Sequence, residues 1–334
     1  MRVCVIGAGS VGGMLAARLA LAGETVTVVG RPGAHLHAIQ SSGLKLIWND
    51  GTEHLARTIK AVSDVAAAGP QDLVILGLKA QLLPAVAPKV PSLYDRDTMV
   101  MTVQNGIPWW YFQRHGGRFD GLRLPALDPE GLLERNVPAG RVIGSVVYAA
   151  AGVPAPGVIK HVDGNGFPVG ELDGTKSERI VRVSVMLEKA GFQARILDSV
   201  RSEIWLKARG NMTFNPISAL TRATLIEICR FPETRELASE MMTEAQAVAE
   251  KLGIEFSDTI EKRIAGAESA GAFKTSMLQD VEAGRSLEVE AIIGTIRFLG
   301  RLTGTPTPAI DTIYACTKLL DSVIARRRAP EKGA

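Results

Sequence analysis

The spacing of apolar residues divides the chain into two halves of different character. In residues 1–198 the apolar positions form short runs typical of buried strands, separated by turns and a few helical segments. These runs predict strands over 2–6, 25–29, 44–47, 73–76, 99–103, 142–149, 157–161 and 193–197, and helices over 13–22 and 177–190. The first strand, the first helix and the second strand make one βαβ unit, which requires a parallel sheet.

Beyond residue 198 the pattern is helical. Apolar residues recur at three- and four-residue spacing over 203–220, 232–252, 258–265, 287–300 and 307–325. We therefore predict an α/β N-terminal domain with a mostly parallel sheet over 1–198, an all-α C-terminal domain over 199–325, and a disordered tail over 326–334. The stretch 116–141, rich in Gly, Pro and charge, is predicted to be a long excursion from the first domain.

Composition and charge exclude several classes of function. The net charge of +3 gives no electrostatic case for a nucleic-acid or membrane partner. Three cysteines give no disulfide framework, which favours a reducing cytoplasm, and no His/Cys cluster indicates a metal site. No apolar run reaches membrane-spanning length, and a strand that starts at residue 2 leaves no room for a signal peptide.

A glycine-rich turn follows the first predicted strand. Its sequence, Gly7-Ala8-Gly9-Ser10-Val11-Gly12, matches the dinucleotide fingerprint and lies between a strand and a helix. The first glycine permits the tight turn, the second lets the backbone approach a pyrophosphate, and the third lets the helix pack on the sheet. Free N–H groups at the helix N-terminus then bind the anion. The sequence therefore predicts a Rossmann-type dinucleotide site.

The end of the second strand indicates which dinucleotide binds. NAD-binding domains usually place an acidic residue there to bind the ribose 2′-OH, but this chain continues Val28-Val29-Gly30-Arg31. A guanidinium can bind a 2′-phosphate with two hydrogen bonds, so Arg31 favours NADPH over NADH. The alternative is that Arg31 is only a solvated loop residue.

Two further polar residues follow predicted strands. Lys79 comes after strand 73–76, and Asn105-Gly106 comes after strand 99–103. Ligands of open α/β sheets collect at the carboxyl ends of the strands, so both residues are candidates for the cofactor site. Asn-Gly is also a common turn dipeptide, and turn chemistry is the alternative for each.

The helical half carries a polar stripe. Lys207, Asn211 and Asn215 are spaced by four residues and share one face of a largely apolar helix. A lysine and two amides on such a face need polar partners, which a substrate with a carbonyl and a carboxylate would supply. Hydrogen bonds between the domains are the alternative. An ammonium aimed at a ketone oxygen would stabilise the charge that hydride attack builds there and then deliver a proton.

Several motifs follow one another in a characteristic order. They are Gly7–Gly12 with Arg31, Leu78-Lys79-Ala80, Val103-Gln104-Asn105-Gly106, the Lys207 stripe ending in Asn215-Pro216-Ile217-Ser218-Ala219-Leu220-Thr221, and Ser276-Met277-Leu278-Gln279-Asp280 with Glu288 twelve residues beyond Ser276. Together they resemble the ketopantoate reductase (2-dehydropantoate 2-reductase) family over most of the chain. The joint match is far more specific than the glycine loop alone.

The resemblance implies a cytoplasmic oxidoreductase that reduces 2-dehydropantoate to pantoate with NADPH, on the route to pantothenate and coenzyme A. By that similarity Lys79 and Asn105 line the nicotinamide half of the cofactor, and Lys207 is the proton donor. Asn211, Asn215 and Ser276 are then substrate ligands. Glu288 corresponds to the carboxylate that orders cofactor and substrate and could hold Lys207 protonated, with Glu290 as a competing carboxylate.

One segment departs from the family pattern. After Asn105-Gly106 the chain continues Ile107-Pro108-Trp109-Trp110-Tyr111-Phe112. These aromatic residues either pack the 116–141 excursion against the first domain or reshape the pocket for another branched or aromatic 2-oxo acid. Thr221–Leu225 also lacks an asparagine that the family often supplies as a substrate ligand. A rival of another class is a non-catalytic NADPH-binding sensor. The apolar surface of the helical half is compatible with a homodimer.

Overall fold

The structure, a computed structural model, describes residues 1–328. It divides into two compact units. The first comprises Met1–Gln104 and Trp109–Val200, and the second comprises Asn105–Pro108 and the chain from Arg201 onward. The four residues 105–108, which the sequence analysis assigned to the first domain, thus group with the helical unit.

Eleven strands form two sheets in the first unit. Their bounds are Arg2–Ile6 (β1), Thr25–Val29 (β2), Leu44–Ile47 (β3), Glu53–Ala56 (β4), Lys60–Val62 (β5), Gln71–Leu76 (β6), Tyr94–Thr102 (β7), Val142–Ser145 (β8), Tyr148–Ala155 (β9), Val158–Gly166 (β10) and Val169–Gly170 (β11). The larger sheet has the order β11-β8-β7-β6-β1-β2-β5, and only β11 runs antiparallel to its neighbour. A second, four-stranded sheet has the order β4-β3-β10-β9.

The helices of the first unit are mostly short. They are Ser10–Leu21 (α1), Ala34–Ser42 (α2), Leu83–Val86 (α3), Leu132–Asn136 (α4) and Glu178–Lys189 (α5). Helix α1 contacts both the parallel strands and the second sheet, and it is buried continuously from Gly12 to Ala20. A helix that is apolar all round belongs in such a position. At Gly13 an ideal Cβ would lie 2.5 Å from Ile159 of β10, so a larger residue would push the second sheet away.

All regular secondary structure within residues 201–328, in the second unit, is helical. Its helices are Val200–Thr221 (α6), Leu225–Arg230 (α7), Pro232–Lys251 (α8), Ile260–Ser269 (α9), Ser276–Glu282 (α10), Thr295–Thr303 (α11) and Pro308–Arg328 (α12), with a π-helical turn at Glu290–Gly294. The architecture confirms the predicted α/β N-terminal domain and all-α C-terminal domain. None of the helices within residues 1–328 is both long enough and apolar enough to cross a membrane.

A buried arginine fixes the long helix α6 within its unit. Arg209 is fully buried, donates to Gln246 Oε1 at 3.0 Å and forms an ion pair with Asp258. Its guanidinium also lies 4.3 Å from the centre of the Phe256 ring. Breaking a buried pair of this kind typically costs about 3–5 kcal/mol, so these contacts hold α6 firmly against α8 and the start of α9.

Several predicted elements differ from the structure. The apolar run 142–149 was predicted as one strand, but β8 ends at Ser145 in the parallel sheet and β9 begins at Tyr148 in the other. The run 193–197 makes only two isolated bridges, to Gly166 and Val169. Strands β4, β5 and β11 and helices α2, α3, α4, α7 and α10 were not predicted. All eight are short, with two to nine residues, and give a weak periodic signal.

The predicted tail and excursion are partly ordered. Helix α12 continues to Arg328, so the prediction of a disordered segment from residue 326 is wrong for its first three residues. Basic side chains are favourable at a helix C-terminus, which explains the extension. Residues 329–334 lie outside the described residues. Within the 116–141 excursion, the buried carboxylate of Asp128 accepts hydrogen bonds from the backbone of Leu133 and Glu134, both at 3.0 Å, and caps α4.

Candidate cofactor loop and active-site cluster

The backbone of the glycine loop in the first unit is tightly constrained at Gly7 and at Gly12. Gly7 follows β1 with a φ of +104°, which favours glycine. An ideal Cβ at position 12 would lie 2.0 Å from the Gly7 carbonyl oxygen. Residue 12 must therefore be a glycine if helix α1 is to start so close to the strand.

The same loop presents an open cradle for an anion. An ideal Cβ at Gly9 would meet nothing within 4 Å, and α1 begins at Ser10 with no side-chain cap and no acidic residue in its first turn. The first N–H groups of a helix have no intrahelical acceptor, and the helix dipole favours negative charge beside them. These features fit the pyrophosphate of a dinucleotide, with Ala8 buried behind the loop and Ser10 and Val11 partly exposed in front.

His35 holds the glycine loop in place, a role that no sequence pattern indicated. The backbone N–H of Gly157 donates to His35 Nδ1 at 3.1 Å. That contact leaves the proton on Nε2, which donates to the Ala8 carbonyl at 2.8 Å. The imidazole thus ties the glycine loop to the turn between β9 and β10. A lone histidine in a short helix carries no local signal for such a role.

Arg31 and Lys79 lie at the same edge of the sheet as the glycine loop. They follow β2 and β6, the two neighbours of β1, at the carboxyl ends of these parallel strands. Arg31 is exposed, with no acidic residue between Thr25 and His35. Lys79 is partly buried and follows Gly77, whose backbone lies against the Gly7 turn. The predicted cofactor residues of the first unit therefore share one edge.

The aromatic run after Asn105-Gly106 is buried. Trp109, Trp110, Tyr111 and Phe112 are each at most 3% exposed. The indole of Trp110 donates to Thr102 Oγ1 at 3.0 Å and lies against Gly144 of β8, where an ideal Cβ would be 2.9 Å from its ring. These contacts favour the packing interpretation of the run over a reshaped pocket.

In the second unit, the lysine of the polar stripe meets Asn105. Lys207 Nζ donates to Asn105 Oδ1 at 2.7 Å, although the two residues are 102 positions apart. The π-helical turn fixes Asn105, because the N–H of Ile107 donates to the Ala291 carbonyl at 2.9 Å. Between them, Gly106 has a φ of +78°, and an ideal Cβ there would lie 2.0 Å from the same carbonyl oxygen. The Asn105 amide is therefore anchored by backbone contacts and aimed at the ammonium.

Three influences set the charge of Lys207. Burial lowers its pKa from an ordinary value of 10.5 to about 8, the Glu288 carboxylate opposes this shift, and the Arg263 guanidinium adds to it. Removing an ammonium from water disfavours its charged form, and neighbouring charges then act according to their sign. Lys207 remains largely protonated at neutral pH but can release its proton readily.

Of the two candidate carboxylates, Glu288 is the one near Lys207. It is buried, at 8% exposure, and its charge acts on the lysine. Glu290 instead accepts hydrogen bonds from Tyr314 at 3.0 Å and Lys318 at 2.6 Å on α12. The two glutamates therefore belong to different networks.

The predicted substrate ligands are less closely grouped. Asn211 is partly buried and Asn215 is buried, and both follow Lys207 along one face of α6. Ser276 is the exposed first residue of α10, and no hydrogen bond among the described residues joins it to the α6 stripe.

Replacing Glu288 by glutamine is expected to move the pH profile of the reaction. The Glu288 charge raises the pKa of Lys207, so its loss should lower that pKa below about 8. If the protonated lysine is the active form, the high-pH limb of the kcat profile shifts to lower pH. Glu290→Gln, which removes a carboxylate of the other network, is the control and should leave the profile in place. An unchanged profile in Glu288→Gln would show that its charge does not govern Lys207.

The chain is similar to known proteins over its whole length. The family model described as ketopantoate reductase PanE/ApbA matches residues 3–174, and the model of its C-terminal part matches residues 199–321. A 2-dehydropantoate 2-reductase of Mesorhizobium japonicum is 46% identical over 333 residues, which cover 100% of this chain and 99% of that protein.

Solved structures share the fold over nearly the whole chain. A candidate ketopantoate reductase from Ralstonia solanacearum has a TM-score of 0.91 and 39% identity, covering 96% of this chain and 98% of that one. A D-mandelate dehydrogenase with NADH and anilino(oxo)acetate has a TM-score of 0.84 at 23% identity, covering 97% of this chain and 100% of that one, and shows likeness of fold alone. With both family models and a full-length relative in agreement, this chain belongs to the ketopantoate reductase family.

Proposed function

We propose that this protein reduces 2-dehydropantoate to pantoate and oxidises NADPH. The observation that carries the proposal is the hydrogen bond from Lys207 Nζ to Asn105 Oδ1 at 2.7 Å, beside the buried Glu288. It gives an oriented ammonium whose pKa lies near neutrality, as a general acid requires. The name of the M. japonicum relative, 2-dehydropantoate 2-reductase, supports the choice of substrate.

The first unit would hold the cofactor, which supplies the hydride when bound. Gly7–Gly12 and the N–H groups at the start of α1 would bind the pyrophosphate, because the loop is open at Gly9 and uncapped. Arg31 would bind the 2′-phosphate, and the chain carries no acidic residue between Thr25 and His35. Lys79 and Asn105 would contact the nicotinamide half.

The second unit would stabilise the negative charge that develops on the substrate and would supply the proton. Negative charge builds on the ketone oxygen as the carbonyl carbon is reduced, and the Lys207 ammonium stabilises that charge and then donates its proton. Asn105 orients the ammonium, and Glu288 keeps it protonated in spite of burial. Asn211, Asn215 and Ser276 would bind the carboxylate and hydroxyl of the substrate.

Replacing Arg31 by alanine is expected to weaken NADPH binding selectively. Loss of a charge-assisted hydrogen bond to a phosphate should raise KM for NADPH by roughly 10–100-fold and leave KM for NADH unchanged. Initial rates with each cofactor give the KM for NADPH and the KM for NADH, in the variant and in the wild-type enzyme. Arg96→Ala is the matched control. Arg96 is exposed and lies near the amino end of β7, whereas the glycine loop lies at the carboxyl ends of the parallel strands. Equal changes in both KM values would argue against contact between Arg31 and the 2′-phosphate.

The proposed function is tested by NADPH oxidation with 2-dehydropantoate beside a panel of branched and aromatic 2-oxo acids. Turnover with the highest kcat/KM for 2-dehydropantoate is expected. Preference for a bulkier 2-oxo acid would keep the mechanism and replace the substrate. Tight NADPH binding with no turnover of any 2-oxo acid would instead support a sensor. The homodimer and the cytoplasmic location stay predictions from the sequence.

A further inference from the structure

A second cation lies beside the polar stripe of α6. An ideal Cβ at Gly210 would lie 2.2 Å from Arg263 Nη2 and 2.8 Å from its Cζ. The guanidinium of Arg263, carried by α9, therefore lies directly on the α6 backbone at a position that only glycine leaves open. Neither Gly210 nor Arg263 belongs to a motif recognised in the sequence.

The position of Gly210 places this guanidinium next to the reacting groups. Gly210 is three residues after Lys207, so the two positions are neighbours on the surface of α6. Side chains three or four residues apart on a helix have their Cβ atoms about 5–6 Å from each other. The Arg263 guanidinium also lowers the pKa of Lys207, in agreement with this placement.

Two cations and one carboxylate are named in this cluster. Lys207 and Arg263 are the cations, and Glu288 is the carboxylate whose charge acts on Lys207. If Lys207 is the proton donor, its ammonium contacts the ketone oxygen, and the substrate carboxylate needs another partner. The carboxylate of a 2-oxo acid is attached directly to the ketone carbon, so its partner must lie close to Lys207.

We propose that Arg263, lying on Gly210, binds the carboxylate of the 2-oxo acid and makes the enzyme selective for acids over uncharged ketones. This inference rests on the proposed function and adds a charged residue to the amide and hydroxyl ligands named above. A guanidinium can bind a carboxylate through two parallel hydrogen bonds and so fix its orientation, which a lysine cannot do. Gly210 is then a specificity position, because any side chain there would displace the guanidinium.

The test compares the acid with an uncharged derivative of it. Rates are measured with 2-dehydropantoate and with its lactone, in which the carboxylate and the hydroxyl are joined in an uncharged ester. Arg263→Gln is expected to lower kcat/KM for the acid by roughly 10–100-fold, mainly through KM, while the lactone changes by less than about threefold. KM for NADPH should not change. Arg263→Lys should recover only part of the loss. Gly210→Ala, which keeps the charge but moves it, should also reduce the preference for the acid.

The acid-to-lactone ratio separates a binding role from a structural one. A variant that is partly unfolded loses activity on both compounds alike, so the ratio within one preparation does not depend on folding. Lys262→Gln, an exposed cation next to Arg263 on α9, is the matched control and should leave the ratio unchanged. The inference is overturned if Arg263→Gln keeps the wild-type ratio, whether both rates stay the same or fall together.

The proposed function and the proposed role of Arg263 are tested separately from each other. If the wild-type enzyme prefers another 2-oxo acid, the ratio is measured on that acid and its methyl ester, and the role of Arg263 stands or falls on the same criterion. If the wild-type enzyme reduces no 2-oxo acid, both proposals are wrong.

Discussion

The Lys207→Ala variant is expected to lose roughly 10²–10⁴-fold in kcat, the contribution typical of a general acid. In the wild-type enzyme kcat should fall as the pH rises through about 8, because the active protonated form of Lys207 is lost above its pKa. In Lys207→Ala this fall in kcat at high pH should disappear. Steady-state rates of NADPH oxidation at saturating substrate, recorded across the pH range, measure both effects.

A second lysine provides the comparison. Lys251 is exposed at the end of α8, and Lys251→Ala should keep the wild-type kcat and pH profile. NADPH affinity, measured by fluorescence titration, should be similar in all three proteins, because the cofactor loop belongs to the other unit. Retention of the high-pH limb in Lys207→Ala would assign the proton to another group.

The Gly106→Ala variant is expected to be less stable by roughly 2–5 kcal/mol. About 1–2 kcal/mol comes from placing a Cβ on a left-handed backbone, and the remainder from crowding against a carbonyl in a packed region. The φ of +78° and the 2.0 Å approach to the Ala291 oxygen are the structural reasons. Relief of the crowding would move Asn105 away from Lys207, so kcat should fall as well. Denaturant unfolding and steady-state rates measure the two effects.

Gly253 separates backbone strain from crowding. It has a similar φ of +81°, but an ideal Cβ there meets nothing within 4 Å. Gly253→Ala should therefore show only the smaller, conformational loss of stability and normal kcat. Equal stability losses in the two variants, with kcat unaffected in both, would mean that the π-helical turn does not position Asn105.

Local patterns predicted the parts of the molecule that fold locally. Strands β1 and β2 have the predicted bounds, since a strand, a glycine turn and a helix follow one another directly in the chain. Lys207, Asn211 and Asn215 share a face because they share a helix. The carboxyl-end rule placed Arg31 and Lys79 at the sheet edge that also carries the glycine loop.

Features that depend on distant pairing were not predicted. Strand β3 was found with its correct bounds, but its pairing with β10 joins Lys45 to Val158, and no local pattern separates that second sheet from the first. The run 142–149 contains Gly144 and Ser145 where β8 ends, but apolar residues continue on both sides, so the pattern predicts a single strand. His35 and Arg263 act through contacts with Ala8 and Gly210 that lie far along the chain, and neither belongs to a recognisable motif.

The assignment of residues 105–108 to the helical unit has a consequence for the exchange of modules between related enzymes. The polypeptide leaves the first unit after Gln104, contributes four residues to the second, and returns at Trp109 before its final departure after Val200. A fragment starting at Arg201 would carry Lys207 without the Asn105 amide that orients it. A chimera built by one crossover near residue 200 would combine the lysine of one parent with the asparagine loop of the other. Inheritance of the helical unit as a working whole therefore requires the 105–108 segment to change with it.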